Sequence, residues 1–275
     1  MSISSKSVLV SVLIVALFVA ASSAASLSVS GSTTVLPFGV QCAEEFNAMQ
    51  SEVVVSVTGG GTGVGIKNIA EGISDVAMAS REVKDSEKES FPDEEFVETL
   101  IAYDAVCIAV SQAVYDSGVT ELSQEEVQAI YNGDITNWAD LGGDDEDIYV
   151  LGREAGSGTR DTFNEMVMGS AEAETPGVAT YHGSNAEVKT AITSSHKAIG
   201  YLGLNYVLEG EIRAVAYEGV LPSAETIKDD SYPLARELYM YTYGEPGDDA
   251  SAFLDFVTGE DGQEIAEKLG FVPIK

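Results

Sequence analysis

The 275 residues predict an α/β protein with a largely parallel sheet, in which the chain leaves a first lobe, builds a second, and returns. Three observations carry that expectation. Short β-branched or apolar runs alternate with amphipathic helical patterns, the signature of parallel strands with covering helices. Three clusters of glycine and hydroxyl residues stand just ahead of helical patterns: Ser30–Thr34 before Pro37, Gly59–Gly63 before Ile66, and Gly156–Arg160 before Phe163. Finally, no fixed-period repeat and no long low-complexity linker divides the chain, as expected for a second lobe inserted between two parts of a first.

The elements follow in order. Leu27–Val29 reads as a short strand, and Pro37–Met49 as a helix with proline at its first position and Ala43, Phe46 and Met49 on one face. Val53–Val57 is a β-branched strand, Thr62–Ala70 a short helix, and Ser74–Ala79 a further strand. Strand–helix–strand–helix–strand order implies parallel pairing, with ligands at the carboxyl ends of strands where the glycine turns lie. Within 97–110 the run Ala105–Val110 is unusually apolar, with Asp104 just before it. Ser123 caps a helix reaching Tyr131, with Gln124, Glu125 and Glu126 in its first turn. Gly142–Asp147 is an acidic loop, Ile148–Leu151 a strand and Ser157–Met168 a helix. Ala186–Ile192 reads as helix, Ile199–Leu204 and Leu238–Tyr243 as extended, and Ala250–Val257 and Gly262–Leu269 as helices.

The first 25 residues read as a signal peptide. Lys6 gives a positive start, Val8–Ala21 is apolar apart from Ser11, and Ser22–Ala25 offers small residues for cleavage. That run is shorter than the ~20 residues of a membrane-spanning helix. Export to an extracytoplasmic location follows, with an uncleaved N-terminal tether as the alternative. The chain carries 45 acidic residues against 14 basic ones, for a net charge of −31. Such a surface excludes nucleic acid and anionic membrane as partners. It also repels anions at long range, a repulsion that a saline environment would screen within ~10 Å. Cys42 and Cys107 fall in an apolar helix and an apolar strand, and are expected as buried free thiols.

The three turns share one chemistry. Each exposes unpaired backbone N–H groups at the positive end of a helix dipole beside side-chain hydroxyls. With Arg81, Arg153 and Arg160 close by in sequence, they describe a cage for a tetrahedral oxyanion. Competing readings lack their residues. The Gly59–Gly65 run fails the G-x-G-x-x-G test at Val64 and Ile66, no P-loop exists, and Ala155 and Thr159 break a nucleophile elbow at Ser157. Two histidines, His182 and His196, lie in polar sequence without ligand spacing, so neither a catalytic residue nor a metal or other cofactor is expected. Trp138 is expected to pack inside a lobe.

Taken together, these segments resemble the phosphate-specific solute-binding proteins that feed ABC importers. The resemblance rests on Gly31–Pro37, Gly61-Thr62-Gly63 with Ile66-Lys67, Asp75 through Ser80-Arg81, Ile130–Gly133 with Asn137-Trp138, Arg153–Arg160 and Ala198–Tyr201. It implies a two-lobed periplasmic-binding-protein fold of type II, with a mixed, mostly parallel sheet in each lobe and crossing hinge strands. The expected division is a signal peptide at 1–25, a first lobe from 26–104 and 236–275, and an inserted second lobe at 105–235. The implied ligand is inorganic phosphate, the implied partner the transmembrane subunits of an ABC importer, and the expected state a monomer without enzymatic activity. Carried over by position, the site comprises Ser32, Thr33, Thr34, Thr62, Ser80, Arg81, Asp104, Arg153, Ser157, Gly158, Thr159 and Arg160. Some relatives place an aspartate where this chain has Ser80, to accept the phosphate proton, and Asp104 is the expected substitute. Molybdate, tungstate or sulfate binding, an exported phosphatase, and a phosphate sensor are the alternatives.

Overall fold

The computed structural model describes residues 24–208 and 210–274. Residues 1–23 of the expected signal peptide lie outside them, and Ala25 already begins the first strand. The first lobe opens with β1 (Ala25–Gly31), α1 (Leu36–Met49), β2 (Val53–Thr58), α2 (Thr62–Ala70), β3 (Val76–Ala79) and α3 (Asp85–Ser90). The strand β4 (Phe96–Val110) then runs out of it for 15 residues. The second lobe follows as α4 (Gln112–Asp116), β5 (Glu121–Leu122), α5 (Gln124–Asn132), a 3-10 turn at Trp138–Leu141, β6 (Tyr149–Arg153) and α6 (Gly158–Met166). It continues as β7 (Thr180–His182), α7 (Asn185–Thr193), β8 (Ala198–Gly203), α8 (Leu204–Val207), β9 (Arg213–Ala214), β10 (Ala216–Tyr217) and α9 (Ala224–Lys228). The chain returns along β11 (Ala235–Tyr243) and closes with α10 (Asp248–Thr258) and α11 (Glu260–Lys268).

Strand order is β2-β1-β3-β11-β4-β8-β6-β7, with β9 also on β4 and a separate β10-β5 pair. The outer pairs β1/β2, β1/β3, β6/β8 and β6/β7 are parallel, as the alternating order requires. The central pairs are antiparallel. The first half of β4 pairs with β11, and its second half, from Val106, pairs with β8. β4 and β11 are thus the two crossing strands, and Asp104 lies mid-strand rather than ahead of one.

Period-two alternation explains the layers. In β3 and β11, Val76, Met78, Leu238 and Met240 face α1, α10 and α11, whereas Ala77, Ala79, Tyr239 and Tyr241 face α2. The second lobe has its own core, in which the Phe163 and Tyr201 rings stack at 4.0 Å and Trp138 is buried with its Nε1 donating to Lys197 O at 3.0 Å. Both cysteines are buried and free, and burial pushes their thiols up. Helix caps were legible where hydroxyls mark them: Ser123 accepts from Glu126 N–H in a capping box.

Candidate functional site

The loops after β1, β2 and β6 converge where the lobes meet. Each of the first two follows a parallel strand at its carboxyl end and feeds a helix, whose positive dipole end faces the meeting of the lobes. Gly31 takes φ 137° where the chain leaves β1, and a Cβ there would lie 2.3 Å from Met78 O. Only glycine lets the first turn pass so close to β3. Thr33, Thr34, Thr62, Ser80, Ser157 and Thr159 are all buried.

Contacts between lobes are dense. Thr34 Oγ1 meets Thr159 Oγ1 at 3.0 Å, Arg153 Nη2 donates to Thr33 Oγ1 at 3.2 Å, and Tyr206 OH donates to Thr33 O at 2.8 Å. Gly63 N–H donates to Gly156 O at 2.9 Å. At Gly158 a Cβ would stand 2.4 Å from Thr62 Oγ1 and 2.6 Å from Ser80 Oγ, so the first turn of α6 presses its bare backbone against the first lobe's hydroxyls. Thr62 and Ser80 are themselves paired, with Ser80 N–H donating to Thr62 Oγ1 at 3.2 Å. Two expected donors are turned inward: Thr34 N–H points to Ser32 Oγ, and Ser157 Oγ accepts Arg160 N–H as a helix cap.

Arg153 is the charged centre. Its side chain is 1% exposed, Nε donates to His182 O at 3.1 Å, and Nη2 donates to Gly183 O and Thr33 Oγ1. Nη1 is buried without a hydrogen-bond partner. Burial lowers its pKa from the ordinary arginine value to about 10, and the neighbouring Arg236 pushes the same way. A buried guanidinium with one idle donor can still bind one acceptor oxygen.

Three expected residues stand elsewhere. Arg81 spends Nε on Asp161 at 2.7 Å and Nη1 and Nη2 on Glu87 at 2.8 and 2.9 Å, so it clamps the lobes at the rim. Lys84 joins the same Asp161 at 3.1 Å. Burial works against the Arg81 charge, but Glu87 and Asp161 hold its pKa above the ordinary value. Arg160 turns away as well, donating Nη1 to Arg153 O and lying over the Tyr181 ring. Asp104 is not a free proton acceptor: its Oδ2 takes both Nε and Nη2 of Arg236, at 3.0 and 2.7 Å, and its Oδ1 takes Leu204 N–H. These corrections share a cause, because sequence proximity gives the residue type near a turn but not the direction of a long side chain.

Two residues were missed. Arg236 is the register partner of Asp104 on β11, and reaches Thr34 and Thr159 with Nη2 and Nη1, each at 3.2 Å. Asn185, at the start of α7, donates Nδ2 to Thr33 Oγ1 and Thr34 Oγ1 at 3.0 Å each. A lone arginine in an apolar strand was the available signal for the first, since it demands a counter-charge. Among the described residues no group of three or more His, Cys, Asp or Glu could hold a metal, and no helix is long and apolar enough to cross a membrane.

A family model described as a PBP superfamily domain matches residues 19–261. The phosphate-binding protein PstS of Bacillus subtilis is 32% identical over 250 residues, covering 90% of this chain and 81% of that protein. That of Borreliella burgdorferi is 29% identical over 260 residues, covering 90% of each. A phosphate-bound crystal structure of a putative phosphate ABC transporter substrate-binding protein from Clostridium perfringens superposes with a TM-score of 0.83 at 34% identity, covering 91% of this chain and all of that one. An ABC-type phosphate transport receptor from Vibrio cholerae gives 0.72 at 31% identity, covering 90% and 99%.

Proposed function

The chain belongs to the phosphate-binding PstS family of the PBP superfamily, and from that premise we propose that it captures one inorganic phosphate ion between its lobes for delivery to an ABC importer. The observation that carries the site is Arg153, buried at the meeting of three hydroxyl-rich turns with Nη1 unpartnered. A tetrahedral dianion placed there gives that nitrogen an oxygen to bind and offsets the cost of burying the cation. Thr33, Thr34, Thr62, Ser80, Ser157, Gly158 N–H and Thr159, which meet across the lobes, are assigned as the direct ligands. Ser32 supports the first turn by accepting Thr34 N–H. Arg81 and Arg160 act as rim and scaffold, and Asp104 acts as the counter-charge of Arg236.

Hydroxyl and N–H dipoles in a dry cleft bind an anion strongly yet release it when the lobes part, because few full charges hold it. This fits a carrier rather than an enzyme: the protein binds without catalysis, as a monomer, outside the cytoplasm, reaching that location through the segment at 1–25. We place the lobe boundaries at 104/105 and 235/236, a division supported by two buried clusters, one drawn from 27–102 and 238–271 and the other from 105–234 with Val272. Isothermal titration at neutral pH is expected to show tight 1:1 phosphate binding and far weaker sulfate binding. One observation favours a second reading: Asp104 is committed to Arg236, which leaves no idle carboxylate to receive a phosphate proton. A cage for a fully ionised oxyanion, such as sulfate, molybdate or tungstate, would then bind sulfate at least as tightly, and that result would replace the phosphate reading.

A further inference from the structure

Two side chains outside the expected motifs control the cage hydroxyls. Asn185 is fully buried, and its Oδ1 accepts Gly203 N–H at 3.2 Å. An N–H needs an oxygen, so this contact fixes the amide with Nδ2 toward Thr33 and Thr34. Amide and guanidinium N–H groups only donate, whereas a hydroxyl has one proton to give and two lone pairs to fill. Thr33 Oγ1 receives Asn185 Nδ2 and Arg153 Nη2, and Thr34 Oγ1 receives Asn185 Nδ2 and Arg236 Nη2. Thr159 Oγ1 receives Arg236 Nη1 and, because Thr34 Oγ1 has no lone pair left for it, the Thr34 hydroxyl proton at 3.0 Å. With both lone pairs taken, and the Thr34 proton spent on Thr159, Thr33 and Thr159 have only their protons left to offer a ligand.

We propose that Asn185 and Arg236 are positioning residues that fix hydroxyl polarity, so that the wall formed by Thr33 and Thr159 binds only unprotonated ligand oxygens. The inference rests on the phosphate reading and specifies which protonation state the site takes. Protons on the ligand are confined to the opposite wall, where hydroxyls keep a lone pair. Ser80 Oγ meets Thr62 Oγ1 at 3.3 Å, and Ser157 Oγ accepts Arg160 N–H alone. The wild-type cage therefore favours phosphate with fewer protons over the form that dominates in acid. Arg153 from β6, Arg236 from β11 and Asp104 from β4 face the cage, with Glu187, Arg160 and the Arg81–Asp161 pair around it. Replacing Asn185 by an apolar residue changes none of these charges.

The test is phosphate titration by calorimetry at pH 8 and pH 6, on wild type and Asn185→Leu, with a thermal melt to verify folding. Wild-type affinity is expected to fall about tenfold as the pH drops and phosphate takes up its extra proton. In the variant Thr33 keeps Arg153 Nη2 and the backbone N–H of residue 185, but Thr34 gains a lone pair that can take the Thr159 proton and so free Thr159 to accept one from the ligand. It is expected to bind more weakly at pH 8 but to lose less than threefold between the two pH values. Parallel profiles, the variant weaker by one constant factor, would assign Asn185 a merely structural role and overturn the proposal. If that variant does not fold, Asn185→Asp keeps the acceptor for Gly203 N–H and turns the threonine protons toward the introduced carboxylate. Its phosphate affinity should then rise toward pH 6, and a fall parallel to wild type overturns the proposal equally. Absence of phosphate binding by wild type would defeat the phosphate reading itself.

Discussion

Arg153→Met separates binding from folding. The drop in the arginine pKa from its ordinary value to about 10 corresponds to about 3 kcal/mol spent on holding the charge in the unliganded protein. Against this stand three side-chain hydrogen bonds, to His182 O, Gly183 O and Thr33 Oγ1, worth about 1 kcal/mol each. The two contributions nearly cancel. Removing a side chain that is 1% exposed should therefore leave unliganded stability within about 2 kcal/mol of wild type, a Tm change below about 8 °C. Phosphate affinity should meanwhile fall by about 2–5 kcal/mol, at least thirtyfold, because the guanidinium is a desolvated ligand to a dianion. The pH dependence has a defined sign. The depressed pKa means that the unfolded chain holds its proton more tightly, so the wild-type penalty is complete below pH 10. It is relieved as pH rises through about 10, moving wild-type stability up relative to the variant. Differential scanning calorimetry with and without phosphate reads both quantities. A Tm loss beyond about 15 °C together with affinity preserved within threefold would refute the reasoning, since Arg153 would then be a structural cation.

Gly158→Ala places a methyl 2.4 Å from Thr62 Oγ1 and 2.6 Å from Ser80 Oγ, so it should block full closure. Phosphate affinity is expected to drop at least a hundredfold while the unliganded melt stays within a few degrees, checked by titration and by small-angle scattering of the liganded state. Asp104→Asn leaves Arg236 as a buried cation without its carboxylate, and should cost about 3–5 kcal/mol of stability. Adding Arg236→Met to it should recover much of that loss in a double-mutant melt, and additive losses would show that the two side chains are not coupled.

Much of the frame was legible because local rules governed it. The bounds of α2, Thr62–Ala70, follow from glycines ahead of an apolar-periodic run, and the parallel pairing of β1 with β2 and β3 follows from the alternation of elements. The turns were legible as tight loops ahead of helices, because glycine and hydroxyl residues there mark close approaches and caps. What escaped was long-range pairing of charge and amide. Arg236 lies 132 positions from Asp104 and 202 from Thr34, and Asn185 lies 152 from Thr33. No periodicity encodes such partners. Asp104 reads from sequence as a proton acceptor, and its pairing with Arg236 is not legible there because that cation sits on a strand that meets it only after the chain has built a whole lobe. Arg81 and Arg160 show the converse: being near a turn in sequence, they were counted as ligands, although Asp161, Glu87 and Tyr181 claim them.

The two crossing strands have a mechanical consequence. Since β4 is continuous for 15 residues and bonded to β11 from Ala105 to Phe96, the halves are joined as by a door on two parallel pins rather than by a rope. Such a joint permits swinging but forbids sliding or wandering. Each time the door shuts, Thr34 therefore meets Thr159 again without a search, and whatever opens it need only twist a short ribbon.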